Sequence, residues 1–136
     1  MAKSQTIFAL STYFAPSALA IIRISGDRSK AVLNKLCKIS NVKPRYAYFK
    51  EISDSQKQPI DKCIIIFYKS PESFTGEDLL EIHTHGSLAV IKRLLEELKK
   101  HKDLRMARPG EFSKRALRNK KQSLLNLEGT NNLIAA

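Results

Sequence analysis

Phe74-Thr-Gly-Glu-Asp-Leu-Leu-Glu-Ile-His-Thr-His-Gly-Ser87 is the stretch on which the fold turns. Leu79 to Thr84 reads as a strand, so that Glu81, His83 and His85 share one face by the period of two. Ser87 then stands where a helix N-cap belongs. Beyond it Leu88, Ile91, Leu94, Leu95 and Leu98 recur on one helical face, with Glu96 and Lys100 placed to pair at i,i+4 on the other. A strand leading into an amphipathic helix that ends near His101 is thus the clearest unit of the chain.

Working outward, Thr6 to Ser11 and Leu19 to Ser25 are short Ile-rich runs that read as strands. Gly26-Asp27 interrupts the second, and Asp27 is placed to cap a helix from Arg28 to Lys38, whose Val32, Leu33, Leu36 and Cys37 fall at helical spacing. Arg45 to Ile52 and Lys62 to Lys69 are two further strands joined by the polar turn from Asp54 to Pro59. The nearly unbroken Cys63-Ile-Ile-Ile-Phe-Tyr68 predicts a central strand covered on both faces. Leu104 to Ala107 is a last short strand, Pro109-Gly110 breaks it, and Glu111 to Asn119 forms a third helix with a basic surface. The order β-β-α-β-β-β-α-β-α implies an α/β sandwich, with about three helices on a mixed sheet rather than a doubly wound parallel one.

The 136 residues suffice for one domain and one core. Two cysteines, Cys37 and Cys63, lie in apolar surroundings without metal-type spacing, which predicts buried reduced thiols and a reducing, cytoplasmic setting. No run approaches the ~18 apolar residues of a membrane span. Lysine and arginine number 24 against 13 acids, and eight of the net +11 charges fall between Lys99 and Lys121. That segment is either a solvated basic face or an attractor of polyanions.

Three places are candidates for chemistry. Glu81, His83 and His85 on one strand face present a carboxylate and two imidazoles that could hold a metal, although a His-x-His pair without an obvious third ligand is more commonly a pair of hydrogen-bonded strand residues. Glu81 itself, set between Leu80 and Ile82, is costly to bury without a partner. That partner is either a nearby arginine or a planar amidine-like group, such as a pterin's N3–H and 2-amino pair. Arg23 interrupts Ala20-Ile-Ile-Arg-Ile24 and needs solvent or an anion. Finally, Ala107-Arg-Pro-Gly-Glu-Phe112 precedes a cation-rich helix and offers backbone N–H groups to a phosphate or carboxylate. No P-loop, dinucleotide-binding glycine pattern or nucleophile elbow is present.

The blocks Ile-Arg-Ile-Ser-Gly26, Ser-Phe-Thr-Gly-Glu-Asp78, Glu-Ile-His-Thr-His-Gly86, Ala-Arg-Pro-Gly-Glu-Phe112 and Lys-Arg-Ala…Asn-Lys-Lys121, in this order, closely resemble the N-terminal domain of the MnmE/TrmE tRNA-modification GTPases. The resemblance implies a fold similar to folate-binding aminomethyltransferase domains, homodimerisation, and binding of 5-formyltetrahydrofolate as a one-carbon donor. By motif, the folate contacts fall on Arg23, Glu81 and Lys121. Glu81 would meet the pterin, Arg23 and Lys121 the polar or glutamate end, and His83 and His85 would line the pocket.

In the family's longer proteins a helical domain and a GTPase domain follow, and GTP, magnesium and potassium belong to the latter. With an MnmG-type flavoprotein, the full enzyme modifies C5 of the wobble uridine of tRNA. Residues 1–121 are accordingly expected to form the folate-binding, dimerising domain and residues 122–136 the start of a helical domain or a tail. This stretch alone is expected to be catalytically silent. The family's glycine-rich loop is replaced here by the glycine-free Phe14-Ala-Pro-Ser-Ala-Leu19, and its Asp-Leu pattern after Lys121 by Gln122-Ser-Leu. A basic RNA-binding module without a folate site is the alternative, and a His/Glu metal hydrolase the third reading.

Overall fold

A computed structural model describes residues 5–12 and 17–120. Lys121, the tail 122–136 and residues 14–16 of the Phe14–Leu19 loop lie outside the described residues, and with them the expectations placed there. Strands β1 (Thr6–Leu10), β2 (Ser17–Ser25), β3 (Tyr48–Ser53), β4 (Pro59–Tyr68), β5 (Leu79–Gly86) and β6 (Leu104–Met106) form one sheet in the order β3-β4-β5-β2-β1-β6. β1 and β6 run parallel and every other neighbouring pair is antiparallel. Helices α1 (Ser29–Cys37) and α2 (Leu88–Lys99) pack on one face, and residues 111–120 form α3. The mixed α/β sandwich read from the element order is the observed one.

The core lies between the sheet and the first two helices. Phe8, Ile22, Ile24, Ile65, Phe67, Leu80 and Ile82 project from the strands against Val32, Leu33 and Leu36 of α1 and Leu94 and Leu98 of α2. Ile91, Leu94 and Leu98 are fully buried, which is the apolar stripe the spacing predicts. The outer face of α2 differs from expectation. Glu97, not Glu96, pairs with the Lys100 ammonium, at 3.1 Å and i,i+3, and its carboxylate is itself buried.

Three local expectations are corrected. The first helix starts one residue late, with Arg28 rather than Asp27 at its N-cap. The reason is tertiary: the Arg28 N–H donates to Thr6 Oγ1 at 2.9 Å, and the Ser29 hydroxyl bonds the carbonyls of Ile24 and Asp78. Ser87 does occupy the N-cap of α2, but its side chain makes no capping bond. β4 is not covered on both faces. Cys63, Ile65 and Phe67 are buried while Ile64 is 41% exposed, because α1 and α2 cover only one side of the sheet. Gly26 has φ +134°, and a Cβ there would stand 2.7 Å from the Thr6 Cα, so the close crossing of β1 and the β2–α1 turn requires glycine.

Candidate functional site

The uncovered sheet face carries the charged residues singled out from the sequence. β2 and β5 pair so that Arg23 lies directly across from Glu81, with Ile66 and Ala9 completing the row on β4 and β1. The Arg23 Nε donates to Glu81 Oε2 at 2.9 Å, and the other carboxylate oxygen lies 3.0 Å from His83 Nε2. Glu81 is buried, whereas the Arg23 side chain retains 29% of its exposure. Its guanidinium also sits 5.3 Å from the centre of the Phe74 ring, a cation–π contact with the loop before β5. The Nη donors of Arg23 have no hydrogen-bond partner among the described residues. Burial first, and then the Glu81 charge, push the nearby Tyr68 phenol above its ordinary value.

Arg23, Glu81 and His83 are thus brought together, and His85 is drawn away. Its ring Nδ1 lies 2.9 and 3.0 Å from the two Asp61 oxygens, and its backbone N–H donates to Asp61 Oδ2. Burial works against the Asp61 charge, but the His85 backbone and ring outweigh it and hold the carboxyl below its ordinary value. No group of three or more His, Cys, Asp or Glu able to hold a metal occurs among the described residues. Cys37 and Cys63 are free and buried, as expected. Burial first, assisted by each thiol's neighbours, pushes both to about 12.

A second polar network flanks the first and was missed by sequence reasoning. Ser25 Oγ lies 2.7 Å from Thr75 Oγ1 and donates to Glu77 Oε1 at 2.8 Å. Glu77 is held at 3.0 Å by Arg115 of α3, which is only 4% exposed and also donates to the Gln5 carbonyl. Glu111 accepts from Arg105 at 2.8 Å and from the Arg108 N–H at 2.9 Å. The Arg105 hydrogen bond is the leading cause that holds the Glu111 carboxyl down at about 2. The anion site expected at the start of this helix is therefore filled by the chain's own Glu111. The helix's supposed basic surface likewise loses Arg115 to the interior. Gly76 closes the network: at φ +82° a Cβ would stand 2.7 Å from the Asn119 Cβ. One legible signal existed, the acid triplet around Glu77, but its cationic partner lies 38 residues onward.

Fold and site together define a mixed α/β domain that presents a partly open Arg–Glu–His cluster on the uncovered face of its sheet. The chain belongs to the family described as GTP-binding protein TrmE N-terminus, which it matches over residues 6–121. It is 49% identical over 133 residues to the tRNA modification GTPase MnmE of Wolbachia sp. subsp. Drosophila simulans (strain wRi), covering 98% of this chain and 30% of that protein. The corresponding proteins of Orientia tsutsugamushi (strain Boryong) and Campylobacter concisus (strain 13826) are 44% and 43% identical, over 96% and 98% of this chain and again 30% of theirs. The chain thus spans about 30% of the length of these relatives.

Proposed function

We propose that this chain is the tetrahydrofolate-binding and homodimerising N-terminal module of a tRNA modification GTPase, with 5-formyltetrahydrofolate as its ligand. The observation that carries the reading is the buried Glu81 carboxylate on an otherwise open sheet face, paired with an arginine whose Nη donors remain available. Among the described residues each Glu81 oxygen has one partner, with a second lone pair to spare. A pterin's N3–H and 2-amino group match that carboxylate as a two-point donor, and Arg23 is free to turn toward a ligand carboxylate. When bound, the ligand supplies a one-carbon unit; the chain's own residues hold and orient it. Lys121 is assigned to the same ligand from the family motif.

Dimerisation is assigned to the same sheet face, where the apolar side chains of Leu19, Phe49 and Ile64 are exposed. In the longer protein the module would act with an MnmG-type flavoprotein on C5 of the wobble uridine of tRNA, in the cytoplasm. No helix among the described residues is long and apolar enough to cross a membrane.

Calorimetry with 5-formyltetrahydrofolate tests the reading. Micromolar binding by the 136-residue chain, abolished in Glu81→Ala, is expected. Absence of heat at high micromolar ligand, or an unchanged response from Glu81→Ala, would overturn it.

A further inference from the structure

The helical side of the sheet carries a feature unconnected with Arg23 and Glu81. Where α1 meets the turn between α2 and β6, an open groove of about 350 Å³ is lined by Arg28 and Lys35 from the helix and by Lys100, His101, Lys102 and Asp103 from the turn. Four cations and one carboxylate thus converge from segments about seventy residues apart. Among the described residues, the counter-charges that meet these cations are weakly engaged or already used. Arg28 meets Asp103 at 3.4 Å with both side chains more than half exposed, so water and salt screen that pair. Lys100 meets Glu97 at 3.1 Å. Neither the Lys35 nor the Lys102 ammonium has a hydrogen-bond or ion-pair partner among the described residues. His101 reports the local field: burial first, then the Lys35 charge, hold its imidazole below the ordinary value, against the opposing pull of Glu97 and Asp103.

We infer that this groove is a phosphodiester site through which the domain grips the backbone of an RNA. Paired cations from two elements match phosphates repeated along a strand, whereas a free nucleotide would present its base to a groove with no phenylalanine, tyrosine or tryptophan in its lining. Contacts of this kind position a nucleic acid without reading its sequence, which suits a module that carries no chemistry of its own. The choice of RNA rests on the tRNA partner proposed above; the groove itself rests only on geometry. Among the described residues, the segment from Lys99 to Lys120 does not form one basic surface. Lys100 and Lys102 join Arg28 and Lys35, while Arg105 and Arg115 turn inward to Glu111 and Glu77.

The test is fluorescence anisotropy of a labelled RNA hairpin with the 136-residue chain across a salt series. Each phosphate neutralised adds about 0.7 to 0.9 to the slope of log affinity against log salt. Lys35→Gln with Lys102→Gln should weaken binding about tenfold or more and flatten the slope by roughly 1.5. Lys50→Gln with Lys57→Gln removes equal charge from exposed positions on the β3–β4 hairpin, at the opposite edge of the sheet, and should change affinity by less than about twofold. Equal loss from both pairs, or no RNA binding at all, would overturn the inference. The His101 ring resonances should move with RNA and stay still with inorganic phosphate or GTP at equal phosphate concentration. An equal response to these small anions would overturn the backbone as ligand. If the double variant fails to fold, Lys102→Gln alone carries the comparison. The response to 5-formyltetrahydrofolate should survive in the groove variant, so the two readings fail separately.

Discussion

Removing either member of the Arg23–Glu81 pair has unequal consequences, because the two charges are not equally sheltered. Glu81 keeps only 11% of its side-chain exposure and Arg23 keeps 29%. Arg23→Ala leaves a nearly buried carboxylate with His83 as its remaining partner, a loss of about 1–3 kcal/mol. Glu81→Gln leaves an arginine that can reach water and a side chain that still accepts a hydrogen bond, and should cost no more than about 1 kcal/mol. Urea unfolding of the two variants, with unchanged m-values, checks the order. The same burial explains why Glu81 stands out: among the described acids it is the one set on an open sheet face between two core residues, so its environment demands a fixed donor.

Among the elements, α3 is held to the sheet by charge more than by apolar area. Ala116 is its one buried apolar side chain among the described residues, while Arg115 reaches Glu77, Glu111 and the Gln5 carbonyl. Glu111 has its carboxyl held at about 2, below the ordinary 4.5, chiefly by the Arg105 hydrogen bond. Folded-state affinity for that proton is therefore lower than in the unfolded chain. The stabilisation is complete above about pH 4.5 and is lost as pH falls from there through about 2. Thermal unfolding followed from pH 7 to pH 2.5 should show a falling midpoint over this window, and Glu111→Gln should lower the midpoint at neutral pH while flattening the acid decline. An acid limb as steep in Glu111→Gln as in the parent chain would assign the loss to other carboxylates.

For the whole molecule, the decisive asymmetry is that α1 and α2 cover one face of a six-stranded sheet, whereas on the other face Arg23, Phe49 and Ile64 stay partly or largely exposed. On the open face the rows Phe49–Ile64–His83–Ile21 and Ile66–Glu81–Arg23 run side by side across the strands. An apolar row beside a polar one is the composition of an interface with a site at its margin. If a second copy covers this face, Ile64→Lys should abolish self-association in sedimentation equilibrium while leaving the thermal midpoint of the monomer within about 2–3 °C, since the position is already exposed. A dimer that persists in Ile64→Lys would place the contact elsewhere.

The element order, the mixed α/β class, the apolar stripe of α2 and the burial of both thiols follow from local spacing, and all were legible along the chain. So was the need of Glu81 for a partner, because its neighbours Leu80 and Ile82 are core residues whatever the strand packs against. Its partner's identity was not, since Arg23 reaches it from 58 residues away only through the antiparallel register of β2 and β5. The same holds for the displaced helix start at Arg28, the one-sided burial of β4, the inward turn of Arg115 and the gathering of Arg28 and Lys35 beside Lys102. Local spacing determines which face of an element is apolar; only the packed sheet decides which distant charge lies opposite, because register and layer order are set by the sum of many contacts rather than by any one segment.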